Sequence, residues 1–159
     1  MYLLGQLSEM AGRPDVAAAL VREGICNSMR QAFDRFLRDG GPADVSVERV
    51  TLPEGLALGK AAGAKMSLAH PHSLRNHALV DDLFHRYRAQ GLEGIEAHYG
   101  KYGVAERTHW ERLASKHDLV ITVGSDFHGA ATPDVAEPVV DCTGGTLHRL
   151  CEWLDVRPG

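Results

Sequence analysis

The segment 119–129, LVITVGSDFHG, constrains the fold more than any other part of the chain. Its first five residues are apolar or β-branched, which is typical of a strand buried on both faces of a parallel sheet. Asp126 and His128 follow, and the flanking glycines Gly124 and Gly129 predict a sharp turn that directs both side chains toward one point. In parallel α/β folds, chemistry takes place at the carboxyl ends of the strands. Asp and His are common ligands of catalytic divalent metals, so the segment predicts a metal site.

The composition indicates one ordinary globular domain. The chain has 159 residues, of which 44% are hydrophobic and 24% charged, and this is enough to bury a sizeable core. A net charge of −4 argues against a large surface for duplex DNA, although a small phosphorylated substrate remains compatible with it. No apolar run approaches the ~20 residues of a membrane span, and the N-terminus does not resemble a secretory signal. We therefore expect a cytoplasmic protein that does not associate with membranes.

Strand-like and helical segments alternate in the larger part of the chain, residues 47–159, which predicts parallel βα units. The predicted strands are 65–69, 94–97 and 119–123, and the predicted helices that follow them are about 77–90, 105–117 and 146–154. Residues 1–46 have the pattern of a separate helical subdomain, with two amphipathic helices that end at glycines. No residue in this first part suggests chemistry.

Polar residues follow each of the three predicted strands. His70 comes after the first strand, Glu96 or His98 after the second, and Asp126 with His128 after the third. Because parallel strands end at the same edge of a sheet, these side chains are expected to lie close together. The alternative for Glu96 is a buried carboxylate that accepts hydrogen bonds from backbone amides, and the alternative for His98 is a solvated loop residue.

Three motifs resemble the C-terminal half of the polymerase-and-histidinol-phosphatase (PHP) family: Ala-His-Pro at 69–71, Gly-Ile-Glu-Ala at 94–97 and Gly-Ser-Asp-Phe-His-Gly at 124–129. The branch they resemble comprises stand-alone phosphoesterases, including nucleoside 3′,5′-bisphosphate phosphatases and 5′→3′ exonucleases of short RNA. The segment 32–37, Ala-Phe-Asp-Arg-Phe-Leu, resembles part of the helical subdomain inserted in that branch. The resemblance extends over about residues 5–130.

The resemblance implies an α/β fold, the C-terminal part of a distorted (β/α)₇ barrel with an inserted helical subdomain. It also implies a cluster of divalent metal ions, with Mn²⁺ expected first and Fe²⁺, Zn²⁺ or Mg²⁺ as alternatives. By motif, the metal ligands that carry over are His70, Asp126 and His128. Family members supply further ligands, including a His-x-His pair, from a preceding region of about a hundred residues. We therefore expect a fragment or half-protein, with one metal held by three ligands rather than a complete trinuclear centre.

Two further residues near the first motif are candidates for catalysis. His72 is close enough to His70 in sequence to donate a proton or to support a metal ligand. Arg75 is a candidate to bind a second phosphate group of the substrate through two parallel hydrogen bonds, and the alternative is an ordinary surface arginine. His72 stands where the family more commonly has glycine, and this departure leaves the role of the loop open.

Three functions are consistent with the sequence. The first is a metal-dependent phosphoesterase acting on small phosphorylated nucleotides or short RNA. The second is a non-catalytic fragment or half-protein that needs a partner, either a separate N-terminal half or a second copy of itself. The third is a metal-dependent deacetylase or amidohydrolase, which also places His and Asp at strand ends. Turnover of an acyl substrate without release of phosphate would distinguish the third from the first.

Overall fold

The computed structural model describes residues 12–45, 49–127 and 139–157. Contacts between residues divide the chain into two units, Met1–Arg49 and Val50–Gly159. None of the helices in these described ranges is long and apolar enough to cross a lipid bilayer.

The first unit is helical. Helix α1 (Arg13–Arg22) begins after Gly12, whose backbone N–H donates to the Asp15 carboxylate. Helix α2 (Met29–Ala32) begins at Ser28, whose hydroxyl accepts a hydrogen bond from the backbone N–H of Gln31. It continues as a π-helical turn, Phe33–Leu37. In the described part of this unit, Ala17, Cys26, Ala32 and Leu37 form a buried apolar cluster.

The second unit contains the βα units predicted from the sequence. In chain order its elements are α3 (Leu52–Ala61), β1 (Met66–Leu68), a 3₁₀ turn (Pro71–Leu74), α4 (His77–Tyr87), a 3₁₀ turn (Arg88–Gln90), β2 (Leu92–Tyr99), α5 (Val104–Lys116), β3 (Val120–Gly124) and α6 (Gly144–Leu154). The strands form a parallel sheet in the order β1-β2-β3. The sequence thus predicted the three strands and the helices α4, α5 and α6, but the second strand is longer than expected.

One apolar core joins the sheet to its helices. Helix α5 packs along β2, and α4 contributes two side chains that are fully buried, Val80 and Phe84. Trp110 of α5 is also fully buried, as expected of a core residue. Among the residues that the structure describes, this core cluster contains the buried residues Leu56, Val80, Phe84, Leu92, Ile95, Ala97, Tyr99, Tyr102, Trp110, Leu113, Ala114 and Leu119. Burying this apolar surface is the main force that holds the helices against the sheet.

A bulge in β2 decides which way its last side chains point. Glu96 pairs with Thr122 of β3, but His98 pairs with the next residue, Val123, so Ala97 is an extra residue on the β2 side. An extra residue breaks the strict alternation of side chains between the two faces. His98 is therefore free to reach α5, where its Nε2 lies 2.8 Å from the Glu111 carboxylate.

Ser67 and Thr122 contact each other across β2, where Gly94 has no side chain. The hydroxyls of Ser67 in β1 and Thr122 in β3 lie 2.9 Å apart. A Cβ atom on Gly94 of β2 would come within 2.8 Å of the Ser67 side chain and 3.2 Å of the Trp153 ring of α6. Trp153 is held there by a hydrogen bond from its Nε1 to the Glu93 carboxylate. Gly94 is therefore required for close packing rather than for its backbone freedom.

Helices α4 and α5 meet at a cluster of three aromatic rings. The ring of His77, the first residue of α4, stacks on that of His109 in α5 with 4.1 Å between centroids. Trp110 contacts both rings edge-on. Burial lowers the pKa of His109 below its ordinary value of 6.5, and His77 and Arg112 act in the same direction, whereas Glu106 opposes them.

We predict that Gly94→Ala destabilises the chain by about 1–3 kcal/mol, because the added methyl group overpacks a full site. Chemical denaturation followed by circular dichroism measures the change. Gly55→Ala, on the helix α3, is the matched control: its added Cβ would meet only one Val50 methyl at 3.9 Å. That control should be neutral or stabilising by up to about 1 kcal/mol. Equal effects of the two substitutions would contradict the packing argument.

We also predict that His109 makes stability depend on pH just below neutrality. The unfolded chain binds a proton on this residue more readily than the folded chain, so stability is lost as the pH falls below about 6.5 toward the lowered pKa. Between pH 7.5 and pH 5, His109→Gln should lose less stability than the wild-type chain. His109→Phe, which cannot titrate either, controls for altered packing and should flatten the dependence equally. A dependence that is the same in all three proteins would refute this assignment.

Candidate active site

Three strand ends bring their polar residues together at one edge of the sheet. His70 follows β1, Glu96 lies near the end of β2, and Asp126 follows β3. The Nε2 atom of His70 is 3.7 Å from Asp126 Oδ1 and also 3.7 Å from Glu96 Oε2. The structure therefore juxtaposes His70 and Asp126, two of the three predicted metal ligands. The third, His128, lies outside the described residues.

The loop that carries His70 depends on the buried Glu96 carboxylate. His70 has a left-handed backbone (φ 48°), which is unfavourable for a residue other than glycine. Its backbone N–H donates a 2.8 Å hydrogen bond to Glu96 Oε2. Glu96 is only 7% exposed, so this bond forms where water competes weakly. Glu96 thus fixes the conformation of the loop, which agrees with the alternative reading of this residue as an acceptor of backbone hydrogen bonds.

Gly124 leaves room for the same carboxylate. A Cβ atom on Gly124 would collide with Glu96 Oε1. The prediction that Gly124 turns the chain through its conformational freedom is wrong, because its backbone is not left-handed. Asp126 itself takes that conformation (φ 59°), which Asp tolerates better than most residues. The other predicted turn glycine, Gly129, lies outside the described residues.

Tyr99 contacts both juxtaposed ligand candidates. Its hydroxyl donates a 3.0 Å hydrogen bond to Asp126 Oδ2, and its ring centroid is 5.1 Å from that of His70. Burial, the hydrogen bond to Asp126 and the negative charges of Asp126 and Glu96 raise the pKa of Tyr99 to about 12. The hydroxyl therefore stays protonated and acts as a donor at neutral pH.

Tyr99 was not predicted as a site residue, because the predicted second strand ends at Ala97 and the residues after it were expected in a loop. The available signal was the strand-like run Ile95–Tyr99 itself, which continues in β2 to its last residue. For His98 the expectation of an edge position is corrected: its side chain is 2% exposed and faces Glu111 of α5. Of the two candidates in this strand, Glu96 is the one at the site.

His72 lies beside the same cluster. Its Nδ1 is 2.8 Å from the Tyr102 hydroxyl, and its ring centroid is 5.7 Å from that of His70. Burial raises the pKa of Tyr102 well above its ordinary range, so this hydroxyl also stays protonated. Which of the two groups donates follows from the tautomer of His72: when Nδ1 accepts, the neutral imidazole carries its proton on Nε2. Arg75 is exposed and left-handed (φ 51°) at the end of the 3₁₀ turn.

The donor atoms suit a divalent metal but do not complete a site among the residues described. An imidazole nitrogen and a carboxylate oxygen 3.7 Å apart are donors that Mn²⁺, Fe²⁺ and Zn²⁺ all accept. Within the described ranges, no group of three or more His, Cys, Asp or Glu side chains is arranged to hold a metal ion. His70 and Asp126 therefore form part of a possible coordination sphere rather than all of it.

Comparison with known proteins connects this geometry to a set of phosphoesterases. The chain is 31% identical over 121 residues to a 3′,5′-nucleoside bisphosphate phosphatase of Chromobacterium violaceum, covering 76% of this chain and 42% of that protein. It is 30% identical over 127 residues to a phosphoribosyl 1,2-cyclic phosphate 1,2-diphosphodiesterase of Eggerthella lenta, covering 79% and 47%. It is 34% identical over 119 residues to a 5′-3′ exoribonuclease of Haemophilus influenzae, covering 73% and 43%. No protein-family model matches the sequence.

Two solved structures resemble the fold. A Chromobacterium violaceum protein described as an amidohydrolase, with bound sulfate and no metal, superposes with a TM-score of 0.75 at 26% identity, covering 92% of this chain and 52% of that one. A Bifidobacterium adolescentis protein assigned as a metal-dependent phosphoesterase gives a TM-score of 0.74 at 28% identity, covering 95% and 55%.

The chain spans less than half the length of the curated relatives that it matches. Over the matched length, the sequence and the mixed α/β fold with its parallel sheet agree with the same group of proteins. These findings confirm the resemblance indicated by the three motifs: over the matched length, the chain is similar to a nucleoside bisphosphate phosphatase, a cyclic phosphodiesterase and a 5′-3′ exoribonuclease.

Proposed function

We propose that the edge where the three strands end is part of the active site of a metal-dependent phosphoesterase. The proposed substrates are small phosphorylated nucleotides such as nucleoside 3′,5′-bisphosphates, or short RNA. The observation that carries the proposal is the convergence of His70, Glu96 and Asp126 from three separate strands at one point. The relatives are named as a phosphatase, a phosphodiesterase and an exoribonuclease, and hydrolysis of a phosphate ester is the reaction that these names share.

His70, Asp126 and His128 are the proposed metal ligands, with Mn²⁺ the first candidate and Fe²⁺, Zn²⁺ or Mg²⁺ the alternatives. A divalent metal bound there supplies Lewis acidity toward phosphate oxygens and a hydroxide nucleophile near neutral pH. His70 would bind through Nε2, the nitrogen that faces Asp126. Glu96 holds the His70 loop through the backbone and so fixes the direction of this imidazole.

His72 and Arg75 are the residues proposed to contact the substrate. In the tautomer whose Nδ1 accepts from the Tyr102 hydroxyl, His72 presents an N–H at Nε2 that can donate to a phosphate or leaving-group oxygen. Arg75 is exposed at the end of the 3₁₀ turn that contains His72, and its guanidinium can donate two parallel hydrogen bonds to a second phosphate. A substrate with two phosphates would use both residues.

The architecture proposed for the assembled enzyme is a distorted (β/α)₇ barrel, to which residues 47–159 contribute the C-terminal part and residues 1–46 an inserted helical subdomain. The proposed location is the cytoplasm. The chain spans under half of its curated relatives, and the proposed partner that completes the active site is a separate N-terminal half or a second copy of this chain. The alternative function is a non-catalytic half-protein.

A second candidate function is hydrolysis of an acyl or amide bond. It is favoured by the amidohydrolase description of one structural relative, and it uses the same metal ligands. The two functions differ in product, so an assay that records both phosphate and acyl release separates them.

We predict that His70→Ala and Asp126→Asn each abolish stable metal binding and reduce phosphate release from a nucleoside 3′,5′-bisphosphate by at least about 100-fold, since a metal contributes several kcal/mol to the transition state. Metal content is measured by mass spectrometry after dialysis against micromolar manganese, iron and zinc. His85→Ala, an exposed histidine on α4, is the matched control and should change neither quantity.

The assay is run on the chain alone and after addition of the part of the Chromobacterium violaceum phosphatase that this chain does not match. Activity only in the mixture would show that the chain is a half-protein of an active enzyme. Bound metal without phosphate release in either case would support the non-catalytic alternative. Acyl release without phosphate release would replace the proposal by the amidohydrolase function.

A further inference from the structure

Resting on the proposed function, we propose that Tyr99 is a positioning residue that orients the Asp126 carboxylate for metal binding. Its hydroxyl holds Oδ2 of Asp126, so that Oδ1 is the oxygen turned toward His70. The metal ligands His70 and Asp126 come from loops after different strands, and Tyr99 is the side chain from the strand between them that contacts both.

Tyr99 is itself held rigidly. It is 6% exposed, and its ring lies against three others, those of His70, His72 and Tyr102, with centroid distances of 5.1, 5.3 and 5.1 Å. Immediately after it, the backbone N–H of Gly100 donates to the carbonyl of Gly124 at 2.9 Å, which ties the ends of β2 and β3 together. A buried tyrosine has only two side-chain torsions to fix, so its hydroxyl is well defined in position.

Asp126 lies beyond the end of β3, its backbone is left-handed, and its side chain is 24% exposed. A carboxylate has two oxygens, and the hydrogen bond from Tyr99 determines which of them faces His70. With Oδ2 bonded to the Tyr99 hydroxyl at 3.0 Å, Oδ1 stays 3.7 Å from His70 Nε2. A metal between these two atoms then meets both donors without reorganisation.

The direction of the Tyr99 side chain follows from the bulge at Ala97. The extra residue directs His98 to α5 and leaves Tyr99 at the edge with Glu96. The bulge thus has a functional consequence: it places an acceptor for the His70 loop and a donor for Asp126 on one strand. Residues that support metal ligands in this way change affinity by about 10–100-fold when they are removed.

The experiment is a Mn²⁺ titration of the whole chain, with free Mn²⁺ followed by electron paramagnetic resonance. Tyr99→Phe keeps the ring and removes the hydroxyl, and we expect it to raise the dissociation constant about 10–100-fold. In an Asp126→Asn background the same substitution should have no further effect, because the group it positions is already altered. Tyr87→Phe, which removes a hydroxyl from α4, is the matched control with unchanged affinity.

A pair of unnatural residues at position 99 gives a second test if Tyr99→Phe does not fold. p-Aminophenylalanine restores a donor and should bind Mn²⁺ like the wild-type chain, whereas p-fluorophenylalanine has a group of similar size without a donor and should bind weakly. Equal affinity of these two variants overturns the inference.

The outcomes also separate this inference from the proposed function. Wild-type affinity in Tyr99→Phe, together with weak binding in Asp126→Asn, overturns the role of Tyr99 and leaves the metal site intact. Binding that Asp126→Asn does not weaken, or a wild-type chain that binds no Mn²⁺, overturns both.

Discussion

The candidate site depends on one buried carboxylate. Glu96 accepts the backbone N–H of His70, which holds a left-handed loop at the end of β1. It also occupies the space next to Gly124, where any side chain would displace it. One residue of the central strand therefore fixes the strand ends on both sides, and burial strengthens the hydrogen bond it makes. Without it, the loop of His70 would lose the bond that offsets its unfavourable conformation.

The bulge in β2 places a second side chain, that of Tyr99, at the same edge of the sheet as Glu96. A regular strand would place Glu96 and His98 on one face and Tyr99 on the other. The extra residue Ala97 changes this, so that Glu96 and Tyr99 meet the candidate ligands while His98 reaches Glu111 in the helix layer. Within four consecutive residues, two side chains thus face the candidate site and one packs against a helix. Bulges next to active sites commonly redirect side chains in this way.

The parts of the fold that follow from the sequence are those governed by local periodicity. The apolar runs predicted the three strands and the helices that follow them, because these signals act within one turn or one strand. The convergence of His70 and Asp126 was also predictable, since parallel strands end at one edge. The role of Tyr99 was not, because it depends on a bulge set by pairing between strands, which no local pattern in β2 reveals. For the same reason the sequence did not show why position 124 is glycine. Backbone freedom was predicted, whereas Gly124 leaves space for the Glu96 carboxylate.

His70 and Asp126 are proposed to bind one divalent metal at the edge where the three strands end. Anomalous diffraction at the manganese edge, from a crystal of the chain soaked in Mn²⁺, tests this proposal. We expect a peak about 2.0–2.3 Å from both His70 Nε2 and Asp126 Oδ1. A crystal in which that position stays without a peak at saturating Mn²⁺, or in which the metal binds elsewhere, would contradict it.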